Sequence, residues 1–309
     1  MAVVIIRQDE KINAWKQALQ ENAPDISFFS FLEPHDREKT EVAFVWKHPE
    51  GVLKNYPNLK YIASFGAGVD FLLEDKSIPD DIPITRVVDP ILASDMSEFV
   101  LATILDNLKH LRHYKVDQLN CQWKPQDYNR ISDVQVGIMG MGALGTDLAK
   151  FLTLIGFRTI GWATTKKPQL GINMYYGDKE RNSFLNQSNI LVCLLPLTPS
   201  TKEILNRDVF KHLPEGAYII NVARGGHLND QDLIDSIDEG QLSGASLDVF
   251  HDEPLLPEHP FWKHPKINIT PHIASVSDVA SVLPQLIENY RRFKKDLPLN
   301  NLVFRQKGY

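Results

Sequence analysis

The sequence has few cysteines and no long apolar run, and each of these absences excludes a class of protein. Only two cysteines, Cys121 and Cys193, occur in 309 residues, which excludes a disulfide framework and any zinc site built on several thiolates. No stretch reaches the roughly 18 apolar residues of a membrane span, and the N-terminal apolar run is too short for a signal peptide. These absences predict a cytoplasmic protein that does not bind a membrane.

Positive charge is also in slight deficit. The chain has 33 Lys and Arg against 39 Asp and Glu, and the net charge of −6 disfavours non-specific binding to nucleic acid. Apolar residues make up 43% of the chain and charged residues 23%, which is typical of a folded protein and argues against disorder. At roughly 150 residues per domain, the length predicts about two domains.

Short apolar runs alternate with segments of helical period along most of the chain. The predicted strands are 3–7, 26–31, 43–46, 61–65 and 84–87, followed by 134–139, 159–162, 190–195, 217–222, 245–249 and 267–269. A long helix is predicted from about residue 94 to 116, capped by Ser94 or Asp95, and another over residues 143–156. This alternation predicts α/β domains whose parallel sheets carry helices on both faces.

A glycine-rich turn follows the first strand of the second series. Gly140, Gly142 and Gly145 form the pattern Gly-x-Gly-x-x-Gly. In this pattern the glycines allow a tight turn, a close approach of the backbone to a pyrophosphate, and close packing of helix against strand. The N-terminus of the following helix adds amide donors and a positive dipole end. The context favours dinucleotide binding, with a structural turn or an S-adenosylmethionine site as the alternatives.

The next strand ends without the acidic residue that NAD enzymes use to bind the ribose hydroxyls. Ala163 occupies that position, and Thr164, Thr165, Lys166 and Lys167 follow it. No carboxylate is present there to repel a 2′-phosphate, and two lysines are present to attract it. The segment therefore predicts a preference for NADP, with NAD as the second choice; the alternative is a solvated lysine pair.

Three polar side chains follow successive strands late in the second series. They are Arg224, Glu253 and His272. Because the carboxyl ends of parallel strands meet at one edge of a sheet, these side chains can converge despite their separation in sequence.

The motifs of this region resemble those of the D-isomer-specific 2-hydroxyacid dehydrogenase family. Besides the glycine turn, the matching segments are Leu195-Pro196-Leu197-Thr198, Asn221-x-x-Arg224-Gly225, Asp248-Val249-Phe250-x-x-Glu253-Pro254 and Pro271-His272. The resemblance implies two Rossmann- or flavodoxin-like parallel-sheet domains with the active site in the cleft between them. Residues 1–99 and 284–309 would form the substrate-binding domain, and residues 100–283 the NAD(P)-binding Rossmann domain. A homodimer is also implied, through the long helix and the segment up to Trp123, although core packing alone would also explain that helix.

The resemblance gives each of the three polar residues a role. Reduction of a 2-keto acid needs a proton for the developing alkoxide, and His272 is the expected general acid because imidazolium can donate near neutral pH. Glu253 would orient the imidazole and favour its charged form. Arg224 would hold the substrate carboxylate with its planar guanidinium. The alternatives are a structural histidine and structural ion pairs.

The resemblance also implies a larger set of cofactor-binding residues. They are Gly140, Met141, Gly142, Ala143, Leu144, Gly145, Thr164, Thr165, Lys166, Lys167, Leu195, Pro196, Leu197, Thr201, Val222, Ala223, Arg224, Asp248 and His272. Asp248 would contact the nicotinamide amide, or would instead cap a turn. No metal is expected.

A second glycine-containing loop follows a predicted strand of the first series. Gly66, Ala67 and Gly68 would present consecutive amides, a shape suited to an anion. The corresponding loop of the family binds the substrate carboxylate; a simple turn is the alternative. Within the family the chain is most similar to the glyoxylate/hydroxypyruvate reductase A group, through this loop, the preceding Val45-Trp46, the strand end at Trp162 and the terminal Gly308-Tyr309. Trp46 would wall a small substrate pocket, together with Arg224 and His272, unless it is an ordinary core aromatic.

Together these expectations predict one function. The chain is expected to reduce a small 2-keto acid, glyoxylate or hydroxypyruvate, to the D-2-hydroxy acid with NADPH. Two alternatives stay open: reduction of a bulkier 2-keto acid such as phenylpyruvate, and a dinucleotide-sensing protein that binds other proteins without turnover. The expected partners are the small-molecule substrate and a second copy of the chain, with neither nucleic acid nor membrane.

Overall fold

Two parallel sheets organise the chain, as the alternating pattern predicts. The computed structural model describes residues 2–166 and 171–308. The chain divides into one unit of Met1–Ile91 with Ser277–Tyr309 and a second unit of Leu92–Val276. Each unit contains one parallel sheet, so the predicted class of two parallel-sheet α/β domains is confirmed. The domain boundaries that the sequence places at 99/100 and 283/284 stay a prediction.

The strands and helices of the described residues have the following bounds. The strands are β1 (Ala2–Arg7), β2 (Ser27–Ser30), β3 (Thr40–Trp46), β4 (Tyr61–Ser64), β5 (Ile84–Thr85), β6 (Gln135–Met139), β7 (Arg158–Ala163), β8 (Asn173–Tyr176), β9 (Ile190–Cys193), β10 (Ala217–Asn221), β11 (Leu242–Leu247) and β12 (Ile267–Ile269). The helices are α1 (Ile12–Asn22), α2 (Asp70–Glu74), α3 (Pro90–Leu108), α4 (Leu111–Leu119), α5 (Ala143–Ile155), α6 (Gly177–Leu185), α7 (Arg207–Phe210), α8 (Asp230–Asp238) and α9 (Val279–Lys294).

The first unit is a five-stranded parallel sheet with the strand order β2-β1-β3-β4-β5. The strand β1, which lies between β2 and β3, is apolar on both faces, with Val3, Val4, Ile5 and Ile6 fully buried, as expected for a parallel strand covered on both sides. On one face α1 and the C-terminal α9 pack against β1 and β3. On the other face α2 packs through Leu72.

The second unit is a seven-stranded parallel sheet with the strand order β12-β11-β10-β9-β6-β7-β8. The first strand of this unit, β6, pairs with β7 on one side and with β9 on the other. The strand order therefore reverses between β6 and β9. In open parallel sheets such a reversal leaves a crevice at the carboxyl ends of the strands, where ligands bind.

The predicted long helix is wrong in one respect, because it is two helices. The first, α3, begins at Pro90, where the side chain of Asp89 accepts a hydrogen bond from Ile91 N (3.0 Å), and not at Ser94 or Asp95. Proline suits this first position because it has no amide hydrogen to satisfy. The helix stops before His110, whose left-handed backbone (φ +53°) interrupts the helical hydrogen bonding, and α4 then begins at Leu111.

Two elements of the second unit can be compared with the prediction from the sequence. The predicted helix over residues 143–156 is confirmed as α5 (Ala143–Ile155), and Gly156, with φ +107°, directly follows its last residue. The edge strand β8 was not predicted, because its side chains are only partly buried and carry a weak apolar signal.

Among the described residues no helix combines the length and apolar character needed to cross a membrane.

Candidate active site

The turn between β6 and α5 leaves room only for glycine at two of its three glycine positions. Gly140 has φ +103°, and a Cβ atom on it would lie 2.6 Å from the backbone carbonyl of Leu194. A Cβ atom on Gly145 would lie 2.0 Å from the carbonyl oxygen of Gly140. The tight turn and the close packing of helix against strand therefore each require the absence of a side chain.

The N-terminus of α5 has the features of an anion site. Gly142 is the N-cap, makes no side-chain cap hydrogen bond, and has no described atom within 4 Å of its Cβ position. The first amide bonded within the helix is Thr146 N, which donates to Gly142 O (3.0 Å). The amides of Ala143 and Leu144 therefore point out of the helix as donors. Open space, free donors and the helix dipole fit the pyrophosphate of a dinucleotide.

The segment after β7 presents exposed polar side chains. Trp162 is buried, and its Nε1 donates to Gly177 O (3.0 Å), which fixes the end of the strand. Thr164, Thr165 and Lys166 follow and are exposed. Lys167, the last of the predicted group, lies outside the described residues. A hydroxyl and ammonium set of this kind can bind a phosphate, and the sequence has no Asp or Glu from Ala163 to Lys167.

Most of the predicted cofactor-binding residues after β9 and β10 are buried or hydrogen-bonded within their own loops. Thr201 is buried, and its hydroxyl donates to Pro196 O (2.7 Å) while accepting from Thr198 N (2.9 Å), which closes the turn after Leu195. Met141, Leu195, Val222 and Ala223 are also buried. Pro196, Leu197 and Leu144 are partly exposed.

A buried asparagine holds the turn that carries Arg224. Asn221, the last residue of β10, donates from Nδ2 to Arg224 O (2.9 Å) and accepts from Ala223 N (3.2 Å). Arg224 is partly exposed, and its Nη1 donates to Ala223 O (2.7 Å). The buried side chain of Asn221 therefore fixes the backbone of the turn that carries the Arg224 guanidinium.

His272 and Glu253 form a hydrogen-bonded pair. The Nδ1 atom of His272 lies 2.8 Å from Oε2 of Glu253, and the side chains are 33% and 23% exposed. The other oxygen of Glu253 accepts from Phe250 N (3.2 Å), so the carboxylate is oriented by its own loop. With Nδ1 bonded to Glu253, the Nε2 atom of His272 has no hydrogen-bond partner among the described residues. This is the arrangement of an oriented imidazole whose outer nitrogen can donate a proton.

The backbone of His272 is left-handed (φ +53°), an uncommon state for a residue other than glycine, and Asp248 holds it there. Asp248 is buried, and its Oδ1 accepts from Thr270 Oγ1 (2.6 Å) and Ile273 N (2.9 Å). Its Oδ2 accepts from Ala274 N (2.9 Å), and its carbonyl oxygen accepts from His272 N (2.9 Å). This matches the turn role that the sequence left open for Asp248; a contact with the nicotinamide amide stays a prediction.

The loop of Arg224 is in direct contact with the loop of Glu253. A Cβ atom on Gly225 would lie 1.9 Å from the carbonyl carbon of Phe250. Through this contact and the hydrogen bonds of His272 to Glu253 and Asp248, the structure brings together the three loops that carry Arg224, Glu253 and His272.

In the first unit, one residue of the glycine loop after β4 is already engaged in contacts within that unit. The amide of Gly66 donates to Ser64 Oγ (3.1 Å), and a Cβ atom on Gly66 would lie 2.1 Å from Cζ3 of Trp46. The amides of Ala67 and Gly68 make no hydrogen bond within the described part of the chain. Only these two of the three predicted amides are therefore open to an anion, and Gly66 contributes as the surface against which the indole lies.

Sequence reasoning missed several residues that shape these loops. Asn221 lay within a matched motif but received no role, and Thr270 and Ser64 were not singled out. A polar residue at the end of an otherwise apolar strand is a signal that could have identified Asn221. Among the described residues no group of three or more His, Cys, Asp or Glu side chains is placed to bind a metal ion.

Both the sequence and the structure of the chain are similar to those of known proteins. Residues 101–274 match the model of the D-isomer specific 2-hydroxyacid dehydrogenase NAD binding domain. The chain is 36% identical over 280 residues to glyoxylate/hydroxypyruvate reductase A of Serratia proteamaculans, covering 89% of each chain.

Two solved structures are similar over the full length. A D-isomer specific 2-hydroxyacid dehydrogenase from Xanthobacter autotrophicus Py2, in complex with NADPH and MES, has a TM-score of 0.94 at 34% identity, covering 100% of this chain and 99% of that one. An NADPH-dependent glyoxylate/hydroxypyruvate reductase from Sinorhizobium meliloti, in complex with NADP and sulfate, has a TM-score of 0.92 at 36% identity, covering 100% of both chains.

Proposed function

Because the chain belongs to the D-isomer specific 2-hydroxyacid dehydrogenase family, we propose that it reduces glyoxylate or hydroxypyruvate to the D-2-hydroxy acid with NADPH. The observation that carries this proposal is the His272–Glu253 pair, whose 2.8 Å hydrogen bond leaves the outer imidazole nitrogen free. The relatives named as glyoxylate/hydroxypyruvate reductases support the choice of substrate.

His272 acts as the proton donor in this proposal. Bound NADPH supplies the hydride that the carbonyl carbon accepts. The Nε2 atom of His272 gives its proton to the carbonyl oxygen, which becomes the hydroxyl of the product, and Glu253 keeps the imidazole oriented while it does so.

Arg224 in the second unit binds the substrate carboxylate, and in the first unit the amides of Ala67 and Gly68 are the donors suited to a carboxylate. A guanidinium matches a carboxylate with two parallel hydrogen bonds, and two consecutive amides add donors of fixed direction. Trp46 walls the pocket for a substrate of two or three carbons.

The cofactor is held at the N-terminus of α5 and after β7. The amides of Ala143 and Leu144 bind the pyrophosphate, and Thr164, Thr165 and Lys166 bind the 2′-phosphate, with Lys167 as a further predicted contact outside the described residues. Lysine supplies charge without the planar fork of arginine. We therefore expect a preference for NADPH while NADH is still used.

A panel of 2-keto acids assayed with both nucleotides tests the function. We expect turnover of glyoxylate and hydroxypyruvate with NADPH, and a lower kcat/KM for phenylpyruvate because Trp46 limits the pocket. A higher kcat/KM for phenylpyruvate would favour the bulky-substrate reductase. Tight NADPH binding without turnover of any keto acid would favour the dinucleotide-sensing alternative.

Reversing the charge of Lys166 tests the cofactor assignment. We expect Lys166→Glu to weaken NADPH binding roughly tenfold, because a charge-assisted contact to the 2′-phosphate is replaced by repulsion, while NADH binding is unchanged. Titration of nucleotide fluorescence gives both dissociation constants. The control is Lys263→Glu, an exposed lysine in the turn before β12, which should change neither constant. Equal weakening of NADPH and NADH binding would contradict the assignment.

A homodimer and a cytoplasmic location complete the proposal. Support for the dimer comes from an apolar surface on α4 and the residues after it, where Leu111, Val116 and Leu119 are exposed and Trp123 is 96% exposed. Four large exposed apolar residues within 13 positions of the chain favour a protein–protein interface.

Replacing two of these side chains tests the dimer. We expect the wild-type chain of 35.1 kDa to elute at twice that mass in size exclusion with light scattering, and the double variant Leu119→Asp, Trp123→Asp to elute as a monomer, because two buried charges would destabilise the interface. Leu154→Asp on α5, where the leucine is 85% exposed, is the control and should stay dimeric. A monomeric wild type would refute the dimer.

A further inference from the structure

A buried histidine–aspartate pair lies in the first unit and has no part in the chemistry described above. The Nε2 atom of His48 lies 2.7 Å from Oδ2 of Asp75, and the two side chains are only 2% and 4% exposed. The same carboxylate accepts from Ser77 N (2.8 Å) through Oδ1. A buried carboxylate needs such partners, because an unpaired charge in the interior is costly.

The pair joins two separate segments of the first unit. Asp75 directly follows α2, and His48 follows Trp46, the last residue of β3, by two positions. Burial acts to raise the pKa of the Asp75 carboxyl, but the hydrogen bonds from Ser77 and His48 outweigh it and hold that pKa below its ordinary value. The carboxylate is therefore ionised at neutral pH, and the hydrogen bond from His48 is charge-assisted.

The backbone between Trp46 and His48 is in an uncommon conformation. Lys47 has φ +42°, in the left-handed region that residues other than glycine rarely occupy. Such a conformation persists only where the surrounding structure determines it. The hydrogen bond of His48 to Asp75 anchors the residue that follows it, and the sheet anchors the residue that precedes it.

Aromatic contacts connect the pair to the glycine loop. The ring of His48 lies 5.8 Å from that of Phe71 on α2, and the ring of Phe71 lies 5.5 Å from that of Trp46 in an edge-to-face arrangement. The indole of Trp46 in turn lies directly against Gly66. A continuous series of contacts therefore runs from Asp75 through His48, Phe71 and Trp46 to the loop that presents the Ala67 and Gly68 amides.

We propose that His48 is a positioning residue for substrate binding, because its hydrogen bond to Asp75 fixes the indole of Trp46 against Gly66 and thereby sets the position of the Ala67 and Gly68 amides. This inference rests on the proposed function, since it concerns the affinity of the same site for a 2-keto acid. His48 belongs to the first unit, whereas His272 and the cofactor-binding loops belong to the second, so we expect its effect on substrate affinity and not on the chemical step.

Three variants test the role of His48. His48→Phe keeps the aromatic volume and removes the donor to Asp75, whereas His48→Gln keeps a donor of similar reach, and Asp75→Asn removes the acceptor charge. We expect His48→Phe and Asp75→Asn to raise KM for the keto acid about tenfold with kcat within about twofold of wild type, the effect of losing one charge-assisted hydrogen bond. His48→Gln should restore KM to near its wild-type value.

The matched control is His264→Phe, which alters a histidine bonded to Asp238 (3.3 Å) in the second unit. It should leave KM unchanged. A merely structural role for His48 would lower the active fraction, and hence kcat, without raising KM. An unchanged KM in His48→Phe would overturn the inference.

Hydrogen exchange gives a second readout that does not depend on activity. We expect His48→Phe to speed deuterium uptake in peptides covering residues 46–49 and 64–69, and His264→Phe to leave both unchanged. If the wild-type chain turned over no 2-keto acid, the proposed function would fail, and this exchange experiment would still decide the inference. Unchanged uptake in both segments would overturn it.

Discussion

Replacing His272 by alanine is expected to lower kcat by about 10²–10⁴-fold, the usual contribution of a positioned general acid. The physical reason is that the alkoxide oxygen loses its proton donor while Glu253, the orienting partner 2.8 Å from Nδ1, has nothing left to orient. The side chain is one-third exposed and belongs to no packed core, so the fold should be retained. Steady-state kinetics with hydroxypyruvate and NADPH measure the loss.

The left-handed backbone of His272 makes a second variant necessary. Alanine tolerates φ +53° poorly, so part of the loss in His272→Ala could come from movement of the loop. Asparagine tolerates the left-handed region well and cannot act as an acid, so His272→Asn should show the same loss with the loop in place. His212→Ala, a histidine bonded to Asp208 O after α7, is the control and should retain wild-type turnover. Turnover of His272→Asn close to wild type would refute the assignment.

Gly225→Ala is expected to lower kcat/KM by roughly 10²-fold, because the new methyl group would lie 1.9 Å from the carbonyl carbon of Phe250. The atoms that this methyl group would meet belong to the backbone of Phe250 and His251, so no flexible side chain can move aside to make room. The turn of Arg224 and the loop of Glu253 must separate, and a displacement of about 1 Å in a catalytic arrangement costs rate on this scale. A lower melting temperature should accompany the loss, since overpacking destabilises by about 1–3 kcal/mol.

The neighbouring glycine supplies the matched control. A Cβ atom on Gly226 would meet the terminal methyl group Cδ2 of Leu197 at 3.1 Å, and a leucine side chain can rotate away. Gly226→Ala should therefore retain kcat/KM within about threefold and most of its thermal stability. If the two alanine variants behaved alike, the close contact of the Arg224 and Glu253 loops would not govern activity.

The sequence predicts well those features that depend on local pattern. The alternation of strands and helices is sufficient for both parallel sheets, and the glycine turn gives the start of α5 at the right residue. The extent of the helix after β5 was not predictable to the same degree. Nothing in its apolar spacing indicates the left-handed residue at His110 that divides it, since that conformation depends on contacts such as the hydrogen bond from His110 Nε2 to Asp127 O (2.9 Å).

In the candidate site, too, some features were predictable from the sequence and others were not. The types of Arg224, Glu253 and His272 indicate the chemistry because few side chains can hold a carboxylate or donate a proton near neutral pH. Their supports depend on tertiary contacts that no spacing reveals. Asp248 accepts three hydrogen bonds from the loop of His272, and Ser64 takes the amide of Gly66 away from an incoming anion.

The most direct test of the account is the product formed from hydroxypyruvate and NADPH, resolved by chiral chromatography and compared with the NADPH consumed. We expect one D-glycerate to form for each NADPH oxidised by the wild-type chain, and almost none with His272→Asn. Formation of the L-isomer, or NADPH binding without any glycerate formed, would contradict it.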